Sequence, residues 1–283
     1  LWFGQGYCTR LQLNLHFALG LFMLGAMSIE GSGGLHIIIT GASSGIGAAT
    51  ARALVAAGHR LVLAARREDI LEALVSELNP SGKRVIGVPC DVRNHADLER
   101  LVARARATFG AVQVVFNNAG LDSGGQSWWK RSALDVTAMY ETNVLAPYWL
   151  SQLVLPEMLS ERNGQIINMG SVQGTLALSS LYGASKFALR GMSLALHREL
   201  RGTGVNVSLL TAGFVRTAMT QKGGKRPLPM IEPEQIASTV LRLLEHPRAE
   251  VVVPSWYQPL IWLEHLIPTI GDMVVQRSWK KDD

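Results

Sequence analysis

The chain has 283 residues, a formal net charge of +5, and 48% hydrophobic against 17% charged residues. That length can bury one large core or two small ones, no linker divides it, and the sparse charge argues against long disordered regions. The arginines are scattered along amphipathic segments such as 93–106 without forming a basic block, which speaks against nucleic-acid binding, and two cysteines, Cys8 and Cys90, suggest neither a disulfide framework nor a cysteine-rich metal site.

The first element is apolar, from Leu11 to Met27, but Gln12, Asn14 and His16 interrupt it. Its clean core falls short of the roughly 20 residues of a membrane span. It reads as a weak signal anchor, a surface helix, or upstream sequence ahead of a start at Met27, so residues 1–34 are set apart as an extension. Apolar runs of strand length then follow at 35–40, 61–65, 84–89, 112–116, 165–169, 205–210 and 251–253. Helical patterns at 45–57, 69–78, 95–107, 136–160, 182–201 and 233–244 alternate with them. Continuous rather than alternating apolar strands predict a parallel sheet covered on both faces. The expectation is a single α/β domain over 35–254, a doubly wound sheet of about seven strands, with a C-terminal tail over 255–283. Ligands of such sheets bind beyond the carboxyl ends of the strands, which directs attention to the residues after each run.

After the first strand come Thr40, Gly41, Ala42, Ser43, Ser44, Gly45, Ile46 and Gly47, then an alanine-rich helix. Glycines at this turn let backbone N–H groups approach a pyrophosphate while the helix N-terminus faces its charge. An ordinary strand-to-helix turn is the plain alternative, but the strand and helix on either side favour dinucleotide binding. After the second strand, an acidic residue would accept from a ribose 2′-hydroxyl. Arg66 and Arg67 stand there instead, suited to a 2′-phosphate, while Glu68 and Asp69 fit the first turn of the next helix. NADPH is therefore expected over NAD, the alternative being that the arginines are a solvated turn. Asp91 and Val92 follow the third strand, placed to touch the adenine, with Asp91 equally suited to be an N-cap.

A metal-free hydride-transfer site needs a proton donor beside the carbonyl oxygen, and a phenol lowered in pKa by an ammonium can serve. Tyr182 and Lys186, four apart on a helix after the fifth strand, supply that pair on one helical face, with Lys186 also in reach of the nicotinamide ribose. Ser171, just beyond the fifth strand, is placed to hydrogen-bond the substrate carbonyl, or otherwise to serve as a turn or helix cap.

Together these residues resemble the short-chain dehydrogenase/reductase family, NADP-preferring, over nearly all of 35–254. The resemblance rests on the Thr-Gly-x-x-x-Gly-x-Gly loop from Thr40 to Gly47, on Asn117-Asn118-Ala119-Gly120 after the fourth strand, and on Tyr182-x-x-x-Lys186. It implies a single-domain Rossmann fold and a homodimer or homotetramer through the helices around Asn143 and Tyr182. It implies that Asn143 holds a water in a proton relay to Lys186. It further implies that the segment Asn117 to Gly120, with Asn118, Ala119 and Gly120, lines the adenine-ribose side and supports the sheet, that Thr217 bonds the nicotinamide carboxamide, and that Gly213 approaches the nicotinamide. The chain departs from the family in two places. Ser171 and Tyr182 are about two residues closer than usual, which makes Ser179 or Ser180 remote substitutes for the serine, and Ala212 stands where a proline is expected.

Lys222 to Pro227 form a glycine-rich basic segment at a substrate lid, read as a solvated loop ahead of a contact with an acidic carrier. Trp256, Tyr257, Leu260, Ile261, Trp262, Leu266 and Ile267 make an apolar tail. It is expected to close a pocket or pack on a subunit before it rests on lipid, and Pro259 and Pro268 argue against a spanning helix. The leading expectation is a cytoplasmic, NADPH-dependent reductase of a small ketone or aldehyde, with no metal. The alternatives are an NADP-binding sensor or scaffold without turnover and a membrane-surface dehydrogenase of lipid alcohols, associated through the apolar termini.

Overall fold

The computed structural model describes residues 34–79, 82–122, 128–176, 180–221 and 229–267, with residues 269 and 272. The N-terminal extension, Ser179, the basic segment 222–227 and Pro268 lie outside the described residues. Seven strands form one parallel sheet: β1 (His36–Thr40), β2 (Arg60–Ala65), β3 (Val85–Pro89), β4 (Val114–Asn117), β5 (Gly164–Ser171), β6 (Val205–Ala212) and β7 (Glu250–Val253), ordered β3-β2-β1-β4-β5-β6-β7. The order reverses between β1 and β4, so the chain leaves those two strands toward opposite faces and opens a crevice at their carboxyl ends.

The strands alternate their burial between two helical layers. Ile37 and Ile39 of β1 face a core built with Leu54 of α1 (Gly45–Ala56), Leu71 of α2 (Glu68–Leu78) and Ile236 and Leu243 of α8 (Pro233–Glu245), which follows the short α7 (Ala218–Gln221). Ile38, between them, faces Leu98 and Leu101 of α3 (His95–Phe109) and Leu150 and Val154 of α5 (Ala146–Ser160). Each such fully buried aliphatic side chain contributes about 1.5–3 kcal/mol, which is why both faces must be apolar. The continuous apolar runs in the sequence are the record of that two-sided burial.

Three departures from the sequence reading bear on the site. The helix expected over 136–160 starts earlier, at α4 (Ala133–Tyr140), where Ser132 Oγ accepts from Asp135 N at 3.0 Å. It passes through a π-helical turn, Glu141–Leu145, before continuing as α5. Ser171 is the last residue of β5, paired with Ala212, rather than a residue beyond the strand. The tail contains a helix, α9 (Tyr257–Leu266), despite Pro259. That proline stands in the first turn, where backbone N–H groups have no intrahelical acceptor, so its missing donor costs the helix nothing. Among the described residues no helix is long and apolar enough to cross a membrane.

Candidate active site

A cavity of about 330 Å³ opens at the carboxyl ends of the strands, and its wall carries residues from every one of the sequence motifs. Gly41, Ser43, Ser44, Gly45 and Ile46 form one side; Arg66, Arg67, Asp91 and Val92 one end; Asn118, Ala119 and Gly120 the floor; Ser171, Tyr182, Lys186, Gly213 and Thr217 the other end. Gly41 and Gly45 take φ of 63° and 54°, a conformation that side chains disfavour, and the loop thereby reaches α1 with its N-terminus open to the cavity. Ser44, the N-cap residue of α1, makes no side-chain cap bond, and no acidic residue occupies the first turn.

The loop is stapled to β4. Thr40 Oγ1 accepts from the backbone N–H of both Asn118 and Ala119 at 3.1 Å, and Asn118 Nδ2 donates to the carbonyls of Thr40 and Gly41 at 3.0 and 3.1 Å. Thr40 and Gly47 are themselves buried. They therefore shape the loop from behind, and the wall is left to Gly41, Ser43, Ser44, Gly45 and Ile46. Asn117, turned the other way, donates from Nδ2 to Asn168 Oδ1 at 2.8 Å inside the sheet.

Arg67 reaches back over the loop, its guanidinium donating to Ser43 Oγ at 3.1 Å and Ser44 Oγ at 3.2 Å. Arg66 is exposed beside it, and Glu68 and Asp69 occupy the first turn of α2, as expected. The carboxylate of Asp91 is turned on Arg93, which donates to both of its oxygens and holds its pKa below the usual carboxylate range. The N-cap of α3 is Asn94, whose Oδ1 accepts from Ala96 N at 3.0 Å, so the capping alternative for Asp91 does not hold. Val92 is buried at the cavity's edge.

At the other end Tyr182 and Lys186 lie on α6 (Leu181–Glu199), and Ser171 shares their cavity wall and acts to lower the Tyr182 phenol's pKa despite the shortened interval. Gln173 touches both flanks of that interval, its N–H donating to Ser171 Oγ at 3.2 Å and its Oε1 accepting from Ser180 Oγ at 2.9 Å. Ser180 is the N-cap of α6, accepting from Gly183 N, as Ser171 is the N-cap of the 3-10 turn Val172–Gly174, but of the two only Ser171 lines the cavity.

The expected lowering of the Tyr182 phenol by Lys186 is absent. Burial raises its pKa above the ordinary value, the charge of Asp122 raises it further, and the nearby Ser171 side chain opposes both. Lys186 is itself buried, which brings its ammonium down to about 8, and its Nζ donates to the Met169 carbonyl at 2.9 Å. It stands 5.6 Å from the Tyr182 ring centre. At neutral pH the phenol thus keeps its proton and the ammonium keeps its charge.

Asn143, fully buried in the π-helical turn, spends both amide hydrogens on protein, donating to the Leu121 carbonyl and to Ser185 Oγ at 2.9 Å each, while Oδ1 accepts from Leu121 N at 2.8 Å. Its side chain can meet a water only as an acceptor. Oδ1 and Lys186 Nζ nevertheless face the same space, lying 3.8 and 3.9 Å from where a Cβ on Gly120 would stand. Thr217 lays its methyl group over Gly45 and ties its hydroxyl to that of Thr220 at 3.3 Å. Sequence reasoning missed Arg93, Gln173, Ser185 and Asp122, whose parts depend on neighbours distant in sequence or on loop geometry.

The cavity, the glycine loop at a strand reversal and the Ser171, Tyr182, Lys186 wall together have the layout of a nicotinamide oxidoreductase. The profile of the short chain dehydrogenase family matches residues 35–227, and the chain belongs to that family. It is an oxidoreductase acting on CH–OH and C=O groups. The ketoacyl reductase HetN of Nostoc sp. is 32% identical over 226 residues, 78% of each chain. A short-chain dehydrogenase/reductase from Burkholderia phymatum, solved in complex with NAD, is 29% identical with a TM-score of 0.77, covering 84% of this chain and 95% of that one. The actinorhodin polyketide ketoreductase, solved with NADPH, is 28% identical with a TM-score of 0.71, over 77% and 95%.

Proposed function

We propose that the protein reduces a ketone or aldehyde to an alcohol with NADPH, reversibly, and that Tyr182 is the proton donor. The observation that carries this reading is that Ser171, Tyr182 and Lys186 share the wall of the cavity that the glycine loop also lines, with burial favouring the neutral Tyr182 phenol. The residues fit a nicotinamide dinucleotide: the uncapped N-terminus of α1 offers N–H groups to a pyrophosphate, and Arg67, fixed on Ser43 and Ser44, offers a guanidinium to a 2′-phosphate. A bound nicotinamide supplies the hydride that a carbonyl carbon receives.

Ser171 donates a hydrogen bond to the substrate oxygen and polarises the carbonyl. Tyr182 gives its proton to that oxygen as negative charge develops there. The charged Lys186 stabilises the Tyr182 phenolate and passes it a proton, and a water that donates a hydrogen bond to Asn143 Oδ1 replaces that proton on Lys186 from solvent. Asp91 and Val92 hold the adenine side with Asn118, Ala119 and Gly120, while Gly213 and Thr217 hold the nicotinamide side. The relative named a ketoacyl reductase supports a carbonyl substrate and the reductive direction. Leu145, Tyr148 and Phe187, exposed on the helices around Asn143 and Tyr182, support a homodimer or homotetramer through that face.

NADPH oxidation followed at 340 nm against a panel of ketones and aldehydes tests the reading. Tyr182→Phe is expected to lower kcat by on the order of 10³-fold with the NADPH dissociation constant within about threefold of wild type. Full activity in that variant would sink the assignment.

A further inference from the structure

At the carboxyl end of the sheet Ser171 and Ala212 are neighbours across β5 and β6. Beyond them the chain forks, one branch entering the 3-10 turn Val172–Gly174 and the other running through Gly213 and Phe214. Both branches border the reacting end of the cavity. The fork is filled from outside by α9, whose Tyr257 and Ile261 cluster with Val172 and Leu176. No residue of α9 lines the cavity.

Tyr257 is completely buried, and the Cδ2–Cε2–Cζ edge of its ring lies where a side chain at 213 would be. A Cβ on Gly213 would overlap Cε2 of that ring and stand 3.0 Å from Cζ. The ring also stacks on the Trp256 indole, with centres 3.9 Å apart. Gly213 N donates to the Val253 carbonyl at 2.7 Å, so the glycine is fixed edgewise by β7 and from behind by Tyr257. At its far end α9 meets the other branch, His265 Nε2 lying 3.3 Å from the Thr175 carbonyl.

We infer that Tyr257 is a positioning residue for the nicotinamide side of the site, its ring being the surface against which Gly213 is set at a fixed distance from Ser171 and Tyr182. The inference rests on the proposed reading that Gly213 faces the nicotinamide. The aromatic ring, not the hydroxyl, carries the role. The hydroxyl is buried near the Phe214 backbone without a well-formed hydrogen bond, and burial pushes its pKa up to about 12. An aliphatic or small residue at 257 would leave Gly213 unsupported, and a displacement of about 1 Å at a reacting centre is enough to cost roughly 100-fold in rate.

The test compares Tyr257→Ala and Tyr257→Phe by calorimetric binding of NADPH and of adenosine 2′,5′-bisphosphate, which lacks the nicotinamide half, and by kcat on the best carbonyl substrate. All measurements are made well below each variant's unfolding midpoint. Tyr257→Ala is expected to weaken NADPH roughly tenfold, leave the bisphosphate unchanged and lower kcat by roughly 100-fold, while Tyr257→Phe stays within about threefold throughout. Tyr257→Leu carries the same comparison if the alanine variant does not fold. Equal losses for both ligands, or no loss for either in a folded variant, would overturn the role of Tyr257. NADPH binding without turnover of any carbonyl by the wild-type protein would count against the proposed reaction, and the two-ligand comparison would still judge Tyr257.

Discussion

At the glycine-loop end of the cleft, four hydrogen bonds between Thr40 or Gly41 and the Asn118-Ala119 pair tie two loops that each follow directly on a strand. At the other end, Ser171, Tyr182, Lys186 and Gly213 come from β5, α6 and the loop after β6, and packing brings them together, with α9 as the outer support. The first region is a rigid socket made of backbone, whose geometry depends on few side chains. The second is a set of side chains whose mutual distances depend on how several elements are seated. Damage to the socket should therefore appear first in cofactor affinity, and damage to the reacting end in turnover.

The largest effect expected on the socket is that of Asn118→Ala. It leaves the Thr40 and Gly41 carbonyls without the Asn118 amide, and a buried polar group left unmade costs about 1–3 kcal/mol. NADPH affinity and the urea midpoint should fall together, by roughly 10- to 100-fold in affinity. A variant with wild-type affinity would mean that the loop is held by its own backbone and that the staple is incidental.

Arg67→Ala asks a narrower question of the same end. A hydrogen bond to a charged group contributes about 1.5–3 kcal/mol, so KM for NADPH should rise roughly 10- to 100-fold, with KM for NADH nearly unchanged. If both rise equally, Arg67 orders Ser43 and Ser44 and does not select the 2′-phosphate.

The same contrast explains what could be read from the sequence. The central strands were legible because burial on two faces makes their runs continuously apolar, as in Ile37–Ile39 of β1 and Leu61–Ala65 of β2. The glycine loop was legible because its function is contiguous: the residues that turn the chain also face the cavity. Tyr182 and Lys186 were legible as a pair because one helical turn separates them. The pKa of Tyr182 was not, because the desolvation that raises it comes from the walls around it and the neighbouring charge from Asp122, in a loop with no motif. The contacts of Gln173 with Ser171 and Ser180 were not legible either, because no spacing rule brings those three side chains together. The ten-residue helix at Tyr257–Leu266 was not legible because its apolar residues give no clean helical period, and Pro259, in its first turn, spoke only against a helix long enough to span a membrane.

The smallest expected effect separates the two ends most cleanly. The charge of Asp122 disfavours the Tyr182 phenolate and so raises the phenol's pKa. Asp122→Asn should lower that pKa. In the alcohol-oxidising direction the phenolate is the active form, so the rise of activity with pH should move to lower pH. In carbonyl reduction the phenol is active, so its alkaline loss should begin earlier. Asp122 is exposed, and solvent and salt screen its charge. The displacement should therefore be less than about 1 pH unit and shrink further as ionic strength rises. Profiles of kcat in both directions at 20 and 500 mM salt, on the order of a threefold change in Debye length or more, measure it. NADPH affinity should not change, since the glycine loop, Asn118 and Arg67 lie at the other end. A shift toward higher pH, or none at low salt, would mean that the walls around Tyr182 set its proton affinity without Asp122. The reacting end would then be governed by packing alone.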